Sequence, residues 1–138
     1  MSESAKSSAN ELALGSHIGP YRIVHELDTG GMGTVYEALH ETIERRVAVK
    51  VLLAKYAKDA TSVSRLINEA RAVNRVGHPG LVQVYDANQL PDGTVYIIME
   101  LLEGQTLRML LSGSAGGKLP VADALAIVEQ AAGTLASL

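Results

Sequence analysis

The chain of 138 residues lacks several residue types that would point to a particular kind of protein. It has no cysteine, which excludes a disulfide framework and a thiolate metal site. It also has no phenylalanine and no tryptophan, and its four histidines are scattered without the spacing of metal ligands. A reducing cytoplasm is allowed by this absence but not required by it, and the expected location is the cytoplasm.

Signals for a membrane or for nucleic acid are also weak. No apolar run approaches membrane-spanning length, and the N-terminal segment MSESAKSSANE has an acid and no apolar core of the signal-peptide kind. The net charge is -3 and no Lys/Arg cluster occurs, which argues against nucleic acid as the main partner. Composition alone, with 47% hydrophobic and 20% charged residues, indicates an ordinary globular domain.

The most informative feature is a glycine-dense turn between two strand-like runs, in the stretch LDTGGMGTVYEALHETIERRVAVK from Leu27 to Lys50. Gly30, Gly31 and Gly33 lack a Cβ, so the backbone can lie close over a polyanion and point N–H groups at its oxygens. Lys50 can supply the matching cation. The same glycines also fit an ordinary β-hairpin, because short glycine motifs match by chance.

Alternation along the strand RVAVKVLL supports a nucleotide site, because successive side chains of a strand point to opposite faces. Ala48 and Lys50 share one face, and Val47, Val49 and Val51 share the other. A small residue two positions before a lysine leaves room for a flat ring under the sheet while the ammonium reaches toward phosphate. The alternative is an edge strand with a solvated lysine.

A helix with one buried stripe is predicted from Thr61 to Val76, because apolar residues recur there at spacings of three and four. Its opening Thr-Ser pair can cap it. Glu69 lies at the edge of the stripe, where a carboxylate needs a partner. Lys50, on the strand that such a helix would cover, is the obvious candidate. The alternative is an exposed pair with Arg65, four residues earlier.

Several segments, in this order, resemble the protein kinases, and most closely the bacterial serine/threonine type. GGMGTVYEA is similar to the glycine-rich loop and second strand, VAVK to the strand of the ATP lysine, and NEARAVNRVGHPGLVQVYDA to helix C and the fourth strand. YIIMELLEG is similar to the fifth strand and the hinge between the two lobes. The resemblance covers Gly19 to Leu138.

The resemblance implies that Lys50 holds the α- and β-phosphates of ATP and pairs with Glu69, and these two are the expected catalytic residues. It also implies an adenine slot, with Met99 as gatekeeper and the Glu100–Leu102 backbone hydrogen-bonding the adenine edge. No metal ligand is expected within the chain, since the ligands of the Mg²⁺ that accompanies ATP would lie further along the kinase domain. The residues expected to contact the nucleotide are Leu27, Asp28, Gly30, Gly31, Met32, Gly33, Val35, Ala48, Lys50, Val82, Met99, Glu100 and Leu102.

One residue departs from the loop of the family, which is G-x-G-x-x-G-x-V. Counting back from Val35 puts Gly33 and Gly30 in the last two glycine places and Asp28 in the first. A carboxylate near the phosphates weakens nucleotide binding by like charge, unless it turns outward to water. We therefore expect weaker binding than a glycine at this position would give.

The catalytic segments of a kinase do not occur in the sequence, which has neither an H-R-D-x-x-x-x-N loop nor a D-F-G. The last predicted helix begins at Pro120, is apolar nearly all round, and reaches Leu138 in mid-pattern. In the family this helix leads into the catalytic loop. The chain is therefore predicted to be the front portion of a kinase domain, with the remainder of that domain as a partner.

The predicted fold class is α+β, with a five-stranded antiparallel sheet and helix C as in the kinase N-lobe, then the hinge and the first C-lobe helices. Residues 1–18 are predicted to be a flexible tail and residues 19–138 an incomplete kinase domain. Its N-lobe is placed at about 19–100, its hinge at about 100–104 and the start of its C-lobe at 105–138. The predicted strands are Tyr21–Leu27, Thr34–Leu39, Arg46–Leu53, Leu81–Ala87 and Thr94–Glu100, and a short helix is predicted at Thr106–Leu111.

Two functions from different classes stay open on the sequence. The first is the ATP-binding part of a serine/threonine kinase, which moves the γ-phosphoryl of Mg-ATP to a hydroxyl of a protein substrate. The second is a pseudokinase-like nucleotide-binding or regulatory module that transfers nothing, which Asp28 and the missing catalytic base favour. A β-rich interaction domain unrelated to kinases is a third possibility. Kinases of this type often carry membrane anchors after the kinase domain, so the location of a longer product stays open.

Overall fold

The computed structural model describes residues 11–57 and 59–138. Of the predicted tail of residues 1–18, residues 1–10 lie outside the described residues, and the part that is described makes contacts with the sheet. The backbone of Gly15 donates a hydrogen bond to Ile23 (2.8 Å), and Ile18 is fully buried. Leu12 packs on the core and its N–H donates to the hydroxyl of Tyr36 at 3.1 Å. This segment is held because its apolar residues find partners on the sheet.

The described residues form one antiparallel sheet in the order β1-β2-β3-β4-β6-β5. All five predicted strands are present, and the sixth strand is the two-residue β1, which the prediction had placed in the tail. The strands are β1 His17–Ile18, β2 Tyr21–Gly30, β3 Gly33–His40, β4 Arg45–Leu52, β5 Val84–Gln89 and β6 Val95–Met99.

Two strand boundaries differ from the prediction for identifiable reasons. β2 continues to Gly30 because the hairpin ladder closes on the pair Gly30 and Gly33. β5 begins at Val84, three residues later than predicted, because the preceding segment is a turn in which the N–H of Leu81 donates to the carbonyl of His78 at 3.0 Å. The predicted LPDG turn between β5 and β6 is confirmed, since the N–H of Gly93 donates to the carbonyl of Leu90 at 2.9 Å.

The hydrophobic core lies on one face of the sheet. Val47, Val49 and Val51 share this face of β4, as strand alternation predicted, and all three are buried. Tyr36 from β3 and Ile98 from β6 lie on the same side because directly paired residues of antiparallel strands point the same way. The opposite face of the same three strands is thereby left for the candidate site.

Helix α1 spans Ala60–Val76 and packs mainly against β5. The predicted stripe is confirmed, since the apolar residues at spacings of three and four are the half-buried ones. The predicted cap is wrong: the helix begins one residue before Thr61, and the N–H of Val63 donates to the carbonyl of Asp59 at 3.2 Å.

Two further α-helices follow β6. Helix α2 spans Leu107–Ser112 and is capped by Thr106, whose side chain accepts a hydrogen bond from the N–H of Met109 at 3.2 Å. Helix α3 spans Val121–Ala136 and contains no buried residue. It meets the turn before β5 closely, because a Cβ on Gly80 would overlap the side chain of Thr134. Within the described residues, no helix is both long and apolar enough to cross a bilayer.

Candidate nucleotide site

The glycine-rich turn is the tip of the β2–β3 hairpin. Met32 lies at the tip with 53% of its surface exposed, and its carbonyl accepts a hydrogen bond from the N–H of Leu53 at 3.1 Å. A Cβ on Gly33 would overlap the carbonyl oxygen of Val51, so the packing of β3 on β4 requires glycine at this position. The packing of the strands does not require glycine at the two earlier glycine positions of the same turn. An added Cβ on Gly30, or on its neighbour Gly31, meets no atom of the described residues within 4 Å.

The predicted adenine and phosphate residues of β3, β4 and β6 lie together on the face opposite the core. Val35 is paired with Lys50, and Ala48 is paired with Met99. Ala48 is only 6% exposed, whereas Val35, Lys50 and Met99 are half-buried. Within the described residues the Lys50 ammonium has no hydrogen bond and no ion pair. A shallow apolar surface with one free cation therefore lies beside the glycine turn.

Glu69 lies on α1 at the rim of a cavity of about 160 Å³, which Met32 and Leu52 also line. Leu52 is two residues beyond Lys50 on β4, so the two side chains leave the same face of that strand. No ion pair within 4 Å joins Lys50 to Glu69 in the part of the chain that the structure describes. The expected contact is thus not formed in this conformation, because α1 rests on β5 with this cavity between Glu69 and β4.

The other predicted contact residues flank this surface. Leu27 and Asp28 are exposed near the end of β2, and Val82 lines a cavity of about 380 Å³ between α1 and the start of β5. The backbone N–H of Glu100 donates to the carbonyl of Gln83 at 2.9 Å, which ties the residue after β6 to the start of β5. Leu102, two residues after Glu100, has no backbone hydrogen bond within the described residues.

A charged network at the rim of this surface was missed by the sequence reasoning. Glu37 follows Val35 by two positions on β3, pairs with Ala48, and has a side chain only 6% exposed. His25 Nε2 lies 2.6 Å from one carboxylate oxygen, and the Arg46 guanidinium donates to the other at 2.5 Å. The hydrogen bond from Arg46 holds the pKa of the Glu37 carboxyl below its ordinary value, against the opposing effect of burial.

The same arginine reaches the segment after β6. Arg46 Nη1 donates to the carboxylate of Glu103 at 2.8 Å, so one guanidinium joins the buried acid of β3 to the predicted hinge segment. Strand alternation could have predicted that Arg46 faces this surface, because Arg46 lies two residues before Ala48 on the same strand. The partner Glu103 is 57 residues away in sequence and carries no local signal.

The described residues provide no metal centre of their own. No group of three or more His, Asp or Glu side chains in the ranges 11–57 and 59–138 could hold a metal ion.

Comparison with known proteins decides the family. The family profile described as "Protein kinase domain" matches residues 21–138. This chain belongs to the protein kinase family. The match begins at the first residue of β2 and runs through the glycine-rich turn, α1 and α3, so it includes every element that carries a predicted site residue.

Curated relatives of this kinase domain are bacterial. PknH of Mycobacterium tuberculosis, named a serine/threonine-protein kinase, is 38% identical over 129 residues, which is 94% of this chain and 20% of PknH. PrkC of Bacillus subtilis, also named a serine/threonine-protein kinase, is 36% identical over 118 residues, or 86% of this chain and 18% of PrkC. The chain thus spans about a fifth of the length of these relatives.

A solved kinase domain has the same fold. The crystal structure of the PknI kinase domain of Mycobacterium tuberculosis matches with a TM-score of 0.79 and 31% identity. The match covers 92% of this chain and 50% of the PknI chain. The predicted α+β kinase fold is therefore confirmed, with the six-stranded sheet in place of the predicted five.

Proposed function

We propose that this kinase domain is the ATP-binding part of a serine/threonine protein kinase, which transfers the γ-phosphoryl of Mg-ATP to hydroxyls of a protein substrate. The observation that carries the proposal is the position of Lys50. Lys50 is half-buried and its ammonium has no protein partner among the described residues, on the same sheet face as Ala48 and beside the glycine turn. A free cation beside a small apolar residue suits an anionic ligand that also has a flat apolar part.

The glycine turn supports a ligand of this kind. Gly33 is explained by the packing of β3 on β4, but Gly30 and Gly31 have open space where a Cβ would lie. Glycine costs backbone entropy wherever the fold does not need it. Its presence at these two positions fits a backbone that approaches a phosphate closely and offers it N–H groups.

The sheet supplies a surface for the base. Ala48 is small and nearly buried, and Val35 and Met99 border it on the neighbouring strands. A planar ring placed against this surface would have apolar atoms over one face. The backbone groups of Leu102, which have no hydrogen bond within the described residues, lie three residues beyond the end of β6, where an adenine edge could take hydrogen bonds from the chain.

Glu69 would act on the lysine and not on the nucleotide. A carboxylate beside an ammonium limits the directions that a flexible lysine side chain samples, which holds the charge where phosphate arrives. Closing the cavity that separates Glu69 from β4 would bring the two groups together. The family needs this pair in place for transfer, so we expect α1 to move toward β4 before a phosphoryl group is transferred.

Phosphoryl transfer also needs groups that this sequence does not contain. The magnesium ligands and the aspartate that accepts the substrate proton belong to segments absent from the 138 residues. We expect the isolated 138-residue chain to transfer little or no phosphoryl group, because the reaction depends on positioning and charge neutralisation. For the whole protein we propose a protein substrate with serine or threonine, Mg²⁺ ligands in another segment of the kinase domain, and a cytoplasmic location.

Replacing Lys50 by methionine tests the nucleotide site. Lys50→Met keeps the length of the side chain and removes the charge, so affinity for a non-hydrolysable Mg-ATP analogue should fall by about tenfold. The measurement is isothermal titration calorimetry on the complete protein. Lys118→Met is the matched control, because Lys118 is an exposed lysine of the loop before α3 and is not among the predicted contact residues. Its replacement should leave affinity unchanged. Equal affinities for the two variants would rule out the proposed site.

A second function has its own support. A nucleotide-binding module that transfers nothing is favoured by Asp28 in the first glycine place and by the absence of the Lys50–Glu69 contact among the described ion pairs. The two functions differ in one measurement. Transfer of labelled phosphate from ATP to serine or threonine of an added protein by the complete protein supports the kinase, and nucleotide binding without transfer supports the module.

A further inference from the structure

Asn74, near the C-terminal end of α1, has contacts that its position in sequence does not explain. Its side-chain Oδ1 accepts a hydrogen bond from the N–H of Val84 at 2.9 Å, and its Nδ2 donates to the carbonyl of the same residue. One side-chain amide thus satisfies both backbone groups of one strand residue. We refer to this pair of hydrogen bonds as the Asn74 clamp.

The clamp occupies a particular place on the sheet. Val84 begins β5, which is at one edge of the sheet, and β6 is the only strand that neighbours β5 within the described residues. On β6 its partner is Met99, the predicted gatekeeper. The backbone groups that Asn74 takes are therefore those of an open edge, where a further strand would otherwise bind. The clamp joins α1 through one residue of β5 to the strand that ends at the predicted hinge.

The side of α1 that carries Glu69 is separated from the sheet. The main partner element of the helix is β5, and Glu69 borders a cavity of about 160 Å³ that Leu52 of β4 also lines. Glu69 lies five residues before Asn74, which is about 7.5 Å along the axis and about 140° around the helix. The two residues therefore point to different sides, one toward the strand edge and one toward the cavity beside β4.

We infer that Asn74 is a positioning residue that fixes the pivot of α1 and thereby sets how readily Glu69 reaches Lys50. The inference rests on the proposed nucleotide site. Because the clamp joins α1 to β5 and a cavity of about 160 Å³ separates Glu69 from β4, closure of that cavity is a rotation of α1 about the clamped end. Without the clamp, α1 would still pack its apolar stripe on the sheet. Its C-terminal end would no longer be fixed on β5, so rotation of the helix would no longer carry Glu69 specifically toward β4.

The geometry explains why an asparagine is suited to this place. Only a side-chain amide offers one acceptor and two donors in a single plane, which matches the N–H and C=O of one strand residue. An aspartate at the same position keeps the acceptor for the Val84 N–H but loses the donor. A leucine keeps the approximate volume and loses both hydrogen bonds.

The test is a double-mutant cycle between Asn74→Leu and Glu69→Gln in the complete protein. The readout is affinity for a non-hydrolysable Mg-ATP analogue. Asn74→Leu should weaken binding about fivefold when Glu69 is present. It should weaken binding no further in the Glu69→Gln background, because the clamp acts through that carboxylate. An equal loss in both backgrounds would show a merely structural role and overturn the inference.

Controls separate the outcomes. Asn68→Leu is the matched variant, since Asn68 is an exposed asparagine of the same helix. The nucleotide affinity of this variant should equal that of the unmodified protein. Hydrogen exchange at the Val84 amide should be faster in Asn74→Leu and unchanged in Asn68→Leu. If Asn74→Leu does not fold, Asn74→Asp replaces it in the cycle, with a smaller loss expected.

Two results would count against the inference in different ways. Unchanged nucleotide affinity in both Asn74 variants, with binding by the unmodified protein intact, overturns the inference alone. Absence of nucleotide binding by the unmodified protein overturns the proposed function, and the inference with it.

Discussion

At the scale of single residues, the glycines of the hairpin tip have different reasons to be glycine. Gly33 has a φ of +155° and lies against the backbone of β4, so its conformation and its lack of a Cβ are demanded by the fold. Gly31 has neither constraint within the described residues. Gly33 is therefore required by the packing of the sheet, whereas Gly31 is free to contact a ligand. The sequence motif does not distinguish the two glycines.

Alanine at each position should separate these two roles. Gly33→Ala should lower the free energy of unfolding by roughly 1–3 kcal/mol, because the new Cβ forces β3 away from β4. Gly31→Ala should leave the unfolding free energy within about 0.5 kcal/mol and weaken binding of a Mg-ATP analogue. Urea denaturation and calorimetry on the complete protein give both quantities. Similar stability of the two variants would contradict the assignment.

At the scale of secondary-structure elements, the network around Glu37 joins three strands of the sheet. His25 belongs to β2, Glu37 to β3 and Arg46 to β4, and the carboxylate is buried where they meet. A buried acid without its hydrogen bonds would be costly. The network therefore stabilises the ionised carboxylate at the rim of the candidate site, and Arg46 extends it to Glu103.

The pKa of Glu37 makes this part of the fold sensitive to acid. Because its pKa is lower in the folded than in the unfolded chain, the ionised group stabilises the fold above the ordinary glutamate pKa. That contribution is lost as the pH falls through the folded pKa. Glu37→Gln should therefore lower stability at pH 7 and flatten the decline between neutral and acid pH.

Thermal unfolding followed by circular dichroism between pH 7 and pH 3 measures this effect. The control is Glu129→Gln, since Glu129 is exposed on α3 and has no ion pair among the described residues. It should reproduce the pH dependence of the unmodified protein. Parallel pH profiles for Glu37→Gln and the unmodified protein would show that the buried carboxylate does not contribute in this way.

The elements also show where sequence reasoning stops. The stripe of α1 and the shared face of Ala48 and Lys50 were predicted, because each depends on spacing within one element. The distance between Glu69 and Lys50 was not, because it depends on how far a helix stands from a strand. The sequence predicted a contact, and the structure shows a cavity between α1 and β4 instead.

At the scale of the whole molecule, α3 presents apolar side chains to solvent. Leu125, Val128 and Leu135 are each more than 60% exposed, whereas Ile127 and Thr134 are half-buried against the rest of the chain. A continuous apolar surface of this kind is uncommon on a monomer. The match to the PknI kinase domain covers 50% of the PknI chain, so we expect the remainder of a kinase domain to cover this surface.

The isolated 138-residue chain should therefore self-associate. Size-exclusion chromatography with light scattering should show species larger than the 14.6 kDa monomer, increasing with concentration. Replacing Leu125, Val128 and Leu135 together by serine should shift the population toward monomer, because the apolar area on α3 is reduced. Replacing Asn68, Arg71 and Arg75 on the exposed side of α1 by serine is the control and should change nothing. A monodisperse monomer of the unmodified chain would contradict the prediction.

The sequence by itself determined the family, the strand order along the chain and the residues available to hold a nucleotide, because these follow from motifs and from spacing within single elements. Only the tertiary structure decided which of these residues touch. The Asn74 clamp spans ten positions and the Arg46–Glu103 contact spans 57, and each depends on how separate elements cross. No local pattern encodes such a crossing, since it is fixed by the joint packing of β4, β5 and α1.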